Sequence, residues 1–425
     1  MKTKLLVFIT VLVLLSACGK KYVYEAKPSE YSGYYNNEYI TSVLSIDSED
    51  FSDLIQGESR WGIPAATSLN DGYLIVAHGG PNLLAVDPEY AEFAGSMRAE
   101  DLHIIIFDQN SNILRIDKYP LYTMDFEVQP HIVQNKDYIV ISGVGVKEER
   151  IYVEYSLFYT YDGKFVKETD YIFRANNKIT EVINYFNVGD DTYVAVKEYR
   201  ITGSMSDVGK SYLMKFDKDF DLEFVKEIKA DLSEEEVFSL KSMAISTDGE
   251  IVLVGTKNKF SEEIDGYVHH EWINSDMIYA KYNLDGEYLS QEIINRLPEM
   301  QSHPDIPEEK IYIWSIKQKT VSDNIYFFSR KDQVINLFVV NTKTNESKEY
   351  RIDDPGNQFR EAIEFDGVLL IVSYDKVKIY DNETFILIDE FELGFTVSNY
   401  INGNTFSMVL LGINVEIYEM EMRKK

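Results

Sequence analysis

The run VAHGGPN, residues 76–82, follows an apolar stretch, and its residue types are ones that do acyl-transfer chemistry. Paired glycines leave backbone N–H groups free to face a developing oxyanion, with His78 beside them. That role requires a nucleophile close by, usually a serine on a sharp strand-to-helix turn spelled Gly-x-Ser-x-Gly. No such spelling occurs; GSMSDVG at 203–209 fails the spacing. Gly79, Gly80 and Pro81 are therefore read as the turn that leads the chain off its strand.

The remaining candidates are weaker. The run His-Gly-Gly-Pro resembles the oxyanion segment of α/β-hydrolases, but no doubly wound αβ region is present to hold it. In YVHHEW, residues 267–272, His269 and His270 are adjacent, and extended chain points adjacent side chains apart. No His-x-x-x-His and no Cys pair supports zinc, so no metal or other cofactor is expected. This segment reads instead as a contact loop carrying Tyr267, His269, His270 and Trp272. DKDFDLEFVKE, residues 217–227, has acids at positions 1, 3 and 5 of a calcium loop. Leu222 stands where such a loop needs Gly, and Ile228 where it needs Glu, so an acidic turn is expected.

These residues need elements to position them, and the chain begins with an address. Lys2 and Lys4 precede an apolar run at 5–15, too short to span a bilayer and suited to a secretory signal. Leu15-Ser16-Ala17-Cys18 resembles the lipobox of bacterial lipoproteins. The resemblance implies cleavage after residue 17 and acylation (palmitate-type) of Cys18, which is the one cysteine in 425 residues. A thiol with no disulfide partner suits that role. Residues 1–17 are thus read as signal peptide, 18–36 as lipidated Cys18 and tether, and 37–425 as the folded domain. The expected location is the outer side of a bacterial membrane, at the cell surface or in a periplasm. The formal charge is −29, or −31 once Lys2 and Lys4 leave with the signal. Such acidity repels phosphate backbones, and no nucleic-acid partner is expected.

Abundant Tyr (31) and Phe (23) with few Pro (10) favour strands. A polar turn before an apolar strand recurs as NDGYLIVA (70–77), NKDYIVIS (135–142), GDDTYVAV (189–196) and TDGEIVLV (247–254). It returns as SDNIYFFS (322–329), FDGVLLIV (365–372) and NGNTFSMV (402–409). After each comes a second strand–turn–strand motif, such as IIIFDQNSNILRI or LMKFDKDFDLEFVKE. Each unit therefore has four antiparallel strands, A to D, with tight A–B and C–D turns. The pattern predicts an all-β chain, a seven-bladed β-propeller of four-stranded antiparallel blades. The last unit lacks its outer strand, and EYITSVLSID (38–47) is expected to supply it and close the ring. FVVNTKTNESKEYRI and IYDNETFILIDEFEL resemble surface-layer propeller repeats. Lipobox and propeller together are similar in architecture to the propeller lipoproteins of outer-membrane protein assembly.

Extra sequence collects at one end of the blades. Residues 78–102, 143–151, 198–210 and 256–276 follow B strands, and 295–310 follow a D strand, whereas the A–B and C–D turns stay short. A short helix is expected in the first of these, with Asp87 capping and Pro88 opening it, and another at 47–57. Long loops on a rigid scaffold usually carry function. Tyr90, Phe93, Met97 and Arg98 join Tyr267, His269, His270 and Trp272 as candidate binding residues there. The starts of the A strands place Arg60, Trp61, Gln129, His131, Glu181, Lys241, Tyr312, Trp314, Arg360 and Glu361 at a channel mouth on the same face. The reading that follows is a lipid-anchored binding or scaffold module, docking an envelope protein, a peptide or a glycan on the loop-rich face. The alternative is an exported propeller enzyme, a metal-assisted lactonase or esterase acting at the channel.

Overall fold

The computed structural model describes residues 22–24, 41–54 and most of 61–424. Within that last span it leaves out 80–97, 100, 120–121, 124–127, 148–150, 199–209, 230, 232–235, 260–262, 265–266, 269–275, 295–311, 316, 319–320, 332–333, 353–358, 366–367, 374–375, 383–384, 386, 393–394, 403–404 and 412–413.

From Trp61 onward the chain repeats one antiparallel meander, strand A pairing B, B pairing C and C pairing D. The first unit comprises Trp61–Leu69, Gly72–Gly79, Asp101–Asp108 and Ile113–Tyr119. The second comprises Val128–Gln134, Ile139–Lys147, Ile151–Tyr159 and Phe165–Thr169. Thr180–Val188, Asp191–Glu198, Ser211–Phe216 and Leu222–Glu227 form the third. Glu236–Ile245, Ile251–Lys259, Asp276–Tyr282 and Tyr288–Ile293 form the fourth. The next is Tyr312–Ser315, Asn324–Lys331, Val334–Asn341 and Ser347–Ile352. It is followed by Phe359–Phe365, Val368–Ser373, Lys376–Asp381 and Leu387–Glu392. The last meander, Phe395–Asn402, Thr405–Leu411 and Asn414–Lys424, takes its fourth strand from Thr41–Asp47, which pairs antiparallel with Asn414–Glu419.

Burial explains why the strands spell differently. Strand B of the first unit is buried nearly end to end, while strand D of that unit is exposed nearly throughout. A strand covered on both faces reads as a continuous apolar run, as in Leu74-Ile75-Val76 or Ile251-Val252-Leu253-Val254. Successive sheets stack face to face. Ala65, Leu74 and Val76 of the first unit pack with Ile141, Tyr155 and Leu157 of the second. Phe158 of the second packs with Tyr212 and Phe216 of the third, and the same stacking continues through the sixth. The first unit's other face meets Leu44, Ile417 and Phe51. Phe51 lies on a helix, Ser48–Leu54, inside the segment 47–57 expected to be helical.

The C–D turns share one device. Asp108, Asp217, Asn283 and Asn341, each at or one residue past the end of a C strand, accept backbone N–H groups from the turn that follows. The residue closing each turn takes positive φ: Ser111, Gly163, Phe220, Gly286, Asn345 and Phe385. This is a turn followed by a left-handed bulge residue, and the ladder shifts register beside it in the first four units and the sixth. Asp217 thus caps its own turn, as the acidic-turn reading of DKDFDLEFVKE requires.

The loops expected after B strands prove shorter than read. His78 and Gly79 pair with Leu102 and Asp101, and Glu198 ends a strand. Two loops change further. Residues 143–151 are mostly strand, since Gly143 to Lys147 pair with Tyr155 to Ile151, and only 148–150 join them. Glycines at 143 and 145 signal a loop in isolation, but here Gly143 makes room for the Tyr155 ring. A Cβ on Gly143 would lie 2.5 Å from the Tyr155 hydroxyl. In the fourth unit, strand B continues to Lys259 and strand C starts at Asp276, so the insertion spans 260–275. Within it Glu263–Ile264 and Tyr267–Val268 form a small hairpin. The helix expected at Asp87 and Pro88 lies outside the described residues.

Candidate functional site

The meander puts A–B and C–D turns at one end of the sheets and B–C and D–A connections at the other. The tight-turn end is joined across units. Asn70 donates to Asp162 at 2.8 Å, Asn135 donates to the Lys218 carbonyl at 2.8 Å, and Lys136 pairs with Asp190. Lys343 bridges Asp248 and Asp323, each at 3.1 Å, and the Thr247 hydroxyl donates to Asp323 at 2.7 Å. Burial works against ionisation of Asp323, but Thr247 and Lys343 outweigh it and hold the carboxyl below the ordinary carboxylate range. A group whose value is depressed in the folded state adds stability at neutral pH, and loses it as pH falls through that depressed value. Asp323→Asn should therefore cost about 1 kcal/mol near pH 7, at the low end for bonds to a charged group because solvent still reaches it. The deficit should narrow as pH falls below the ordinary value of 3.8 and vanish only once pH passes the depressed value, where folded wild type is protonated too. Urea unfolding at pH 7 and pH 3 checks this.

The opposite end differs in kind. B–C connections are two residues long in the last three units, where Lys331 is followed by Val334, Ser373 by Lys376 and Leu411 by Asn414. The first, third and fourth units instead carry insertions there, at 80–100, 199–210 and 260–275. Arg98, one of the expected contact residues, pairs with Thr123, and Tyr122 in turn pairs with Val146. The base of the first insertion thus joins the projecting hairpin of the second unit. Tyr267 lies in the small hairpin and pairs with Ile264. Tyr90, Phe93, Met97, His269, His270 and Trp272 lie outside the described residues, as do Cys18 and Arg60.

Sequence reasoning missed a polar cluster on this face, between the second and third units. The connection after Thr169 folds back as a hairpin with Asn176 (φ 51°) and Asn177 (φ 62°) at its tip. Ala175 and Lys178 close it by two backbone bonds. Two successive positive φ values define a primed turn, which Asn tolerates better than most residues. Tyr171 and Phe173 bury beneath, with the Tyr171 hydroxyl donating to the Thr180 carbonyl. At the rim, Glu198 accepts from Tyr212 at 2.6 Å and from Lys178 at 3.0 Å, and Asn176 donates to the Tyr212 hydroxyl. Burial opposes the Glu198 charge, yet these donors keep its carboxyl below the usual range. Burial and the Glu198 carboxylate push the Tyr212 phenol up to about 12. Arg174 and Glu154 form a two-pronged ion pair beside it. Glu198, the residue before the 199–210 insertion, is therefore tied to the neighbouring connection through Lys178 and Tyr212. The one local signal was the Asn-Asn pair at 176–177.

The A strands carry a shared irregularity near the same end. Pairing with strand B skips Ile183, Lys241, Arg360 and Val397, and skips two residues against one at Ile63-Pro64 and Gln129-Pro130. Two expected mouth residues, Lys241 and Arg360, occupy these bulged positions. Trp61 pairs with Gly79 and Trp314 with Phe328 at the starts of their strands. Ring contacts hold His131 against Phe173 at 5.5 Å and, edge-on, against Tyr171 at 6.0 Å. Among the described residues, no three His, Cys, Asp or Glu side chains gather closely enough to hold a metal.

Four-stranded antiparallel sheets stacked in sequence, with their A strands neighbouring one another, define a β-propeller domain. No protein-family model matches the chain, and no curated protein matches its sequence. Among solved structures it is similar to the polysaccharide lyase Uly1, at TM-score 0.51 and 10% identity over 89% of this chain and 97% of that one. It is also similar to the β-propeller domain of the Trilobed protease from Pyrococcus furiosus (TM-score 0.48, 12% identity, 86% and 94% covered) and to BamB from Moraxella catarrhalis (0.41, 8%, 89% and 99%). At these identities the likeness concerns the fold alone.

Proposed function

We propose that this chain is a lipid-anchored, extracytoplasmic binding propeller. It has seven blades in a ring closed by Thr41–Asp47, it is held to a bacterial membrane through acylated Cys18, and it docks a protein, peptide or glycan on its loop-rich face. The observation that carries the reading is the difference between the two ends. One end has connections of two to eight residues, several of them tied across units, and the other has two-residue corners in some units and insertions of eleven or more residues in others. Ordering a loop costs roughly 1 kcal/mol or more per residue, and a scaffold with no use for such loops gains by losing them.

Replacing 260–275 by an Asn-Gly turn should leave melting nearly unchanged, because the strand pairs up to Lys257–Asp276 remain. It should weaken partner capture from solubilised envelopes at least tenfold, about 1.4 kcal/mol. The replaced chain melting normally and capturing the same partner in full would remove that loop from the site. The same result at 80–97 would end the reading. Cys18→Ser should move the protein out of the detergent phase; equal partition would end the anchor.

A further inference from the structure

The direction of the N-terminal strand carries an orientation. Strand C of every unit runs from the loop-rich end to the tight-turn end. In the last unit this strand is Asn414–Lys424, and Thr41–Asp47 runs against it, Asp47 opposite Asn414 and Thr41 opposite Glu419. The chain therefore joins the sheet at the tight-turn end. Farther along the same edge, Tyr22 pairs with Lys424 and Tyr24 with Met422. Cys18 stands four residues before Tyr22, a reach of at most about 14 Å when fully extended. The loop-rich end lies a strand length away; Gly72–Gly79, eight residues, spans about 26 Å.

We propose that the anchor seats the domain with its tight-turn face toward the bilayer and its loop-rich face toward the aqueous phase. This rests on the reading of Cys18 as the acylated residue. The tether imposes the orientation, not attraction to lipid. Asp71, Asp162 and Asp285 lie on the turns of that face, and anionic lipid would repel them. The pairing of Tyr22–Tyr24 is the element that holds the face near the membrane. Without it the tether would run to Thr41, long enough for the domain to turn over. The inserted loops are then presented to a partner that approaches from outside the membrane.

The test uses the full lipidated chain in phosphatidylcholine vesicles carrying a rhodamine-labelled headgroup. A donor dye is placed on Asp71→Cys at the tight-turn face or on Lys210→Cys at the loop-rich face; both residues are exposed. Flotation first shows whether the protein is anchored. The donor at 71 should transfer to the acceptor lipid roughly threefold or more faster than the donor at 210, given the strand-length separation. Val23→Pro, which removes the N–H opposite Arg423, should float as well but lose most of that difference. Floating protein with equal or reversed transfer overturns the orientation while leaving the anchor intact. A difference that persists in Val23→Pro overturns the role given to the pairing. Protein that does not float overturns the anchor, and the orientation with it.

Discussion

A chain shortened to begin at Ser48 should lose its single cooperative unfolding transition. Removing 18–47 strips the last sheet of its outer strand and leaves the Asn414–Glu419 edge with unpaired N–H and C=O groups. It also removes Leu44, which is fully buried with Ile417 against the first unit. In a closed ring this strand joins the two ends of the chain, so its loss frees both neighbouring sheets. The cost should be on the order of 5 kcal/mol or more, comparable with the whole margin of a typical domain. Thermal scans of the two forms, followed by circular dichroism and dye binding, measure it. Unchanged melting would show that the N-terminal strand decorates the last sheet and closes nothing.

Phe51→Ala should cost about 3–5 kcal/mol, the range for emptying a large aromatic site in a packed core. Phe51 has no exposed surface and packs in one cluster with Leu44, Ile63, Tyr73, Ile75, Phe107 and Ile417. It stands on a seven-residue helix, far too short to persist by itself. The helix exists because Phe51 docks it, so removing the ring loosens the helix and the strand before it together. Urea unfolding gives the number, and a change under 1 kcal/mol would mean that this helix does not contribute to the core.

The repeat was legible because its signals are local. The turns written as Asp-Gly, Asn-Lys-Asp or Gly-Asp-Asp fall between A and B strands, and apolar runs such as Val368–Ser373 become strands buried on both sides. The helix at 48–54 was legible for the same reason. What was not legible depends on neighbours distant in sequence. Gly143 and Gly145 look like loop residues until Tyr155 and Val153 are placed across the ladder from them. Glu198 meets Lys178 and Tyr212 only because two connections converge. Lys317–Gln318 leaves its own unit to pair parallel with Ile363 and Glu364, and Asn184 donates to Gln318 across 134 positions. No turn residue marks either event. Of the expected site, Arg98 and Tyr267 fall on short paired strands and Lys241 and Arg360 on bulges. These placements reflect pairing registers, which composition does not encode.

A partner docked on the loop-rich face should be within reach of crosslinkers placed there and out of reach of those at the opposite end. A photoreactive residue is placed singly at Asn177 or Lys210 on that face, and at Asp71 or Asp285 on the tight-turn face, in the full-length chain in its own cells. All four positions are exposed or lie on turns, so the fold should tolerate each replacement. A discrete adduct is expected from position 177, 210 or both, and none of the same mass from 71 or 285. That adduct arising only from 71 or 285 would contradict docking on the loop-rich face.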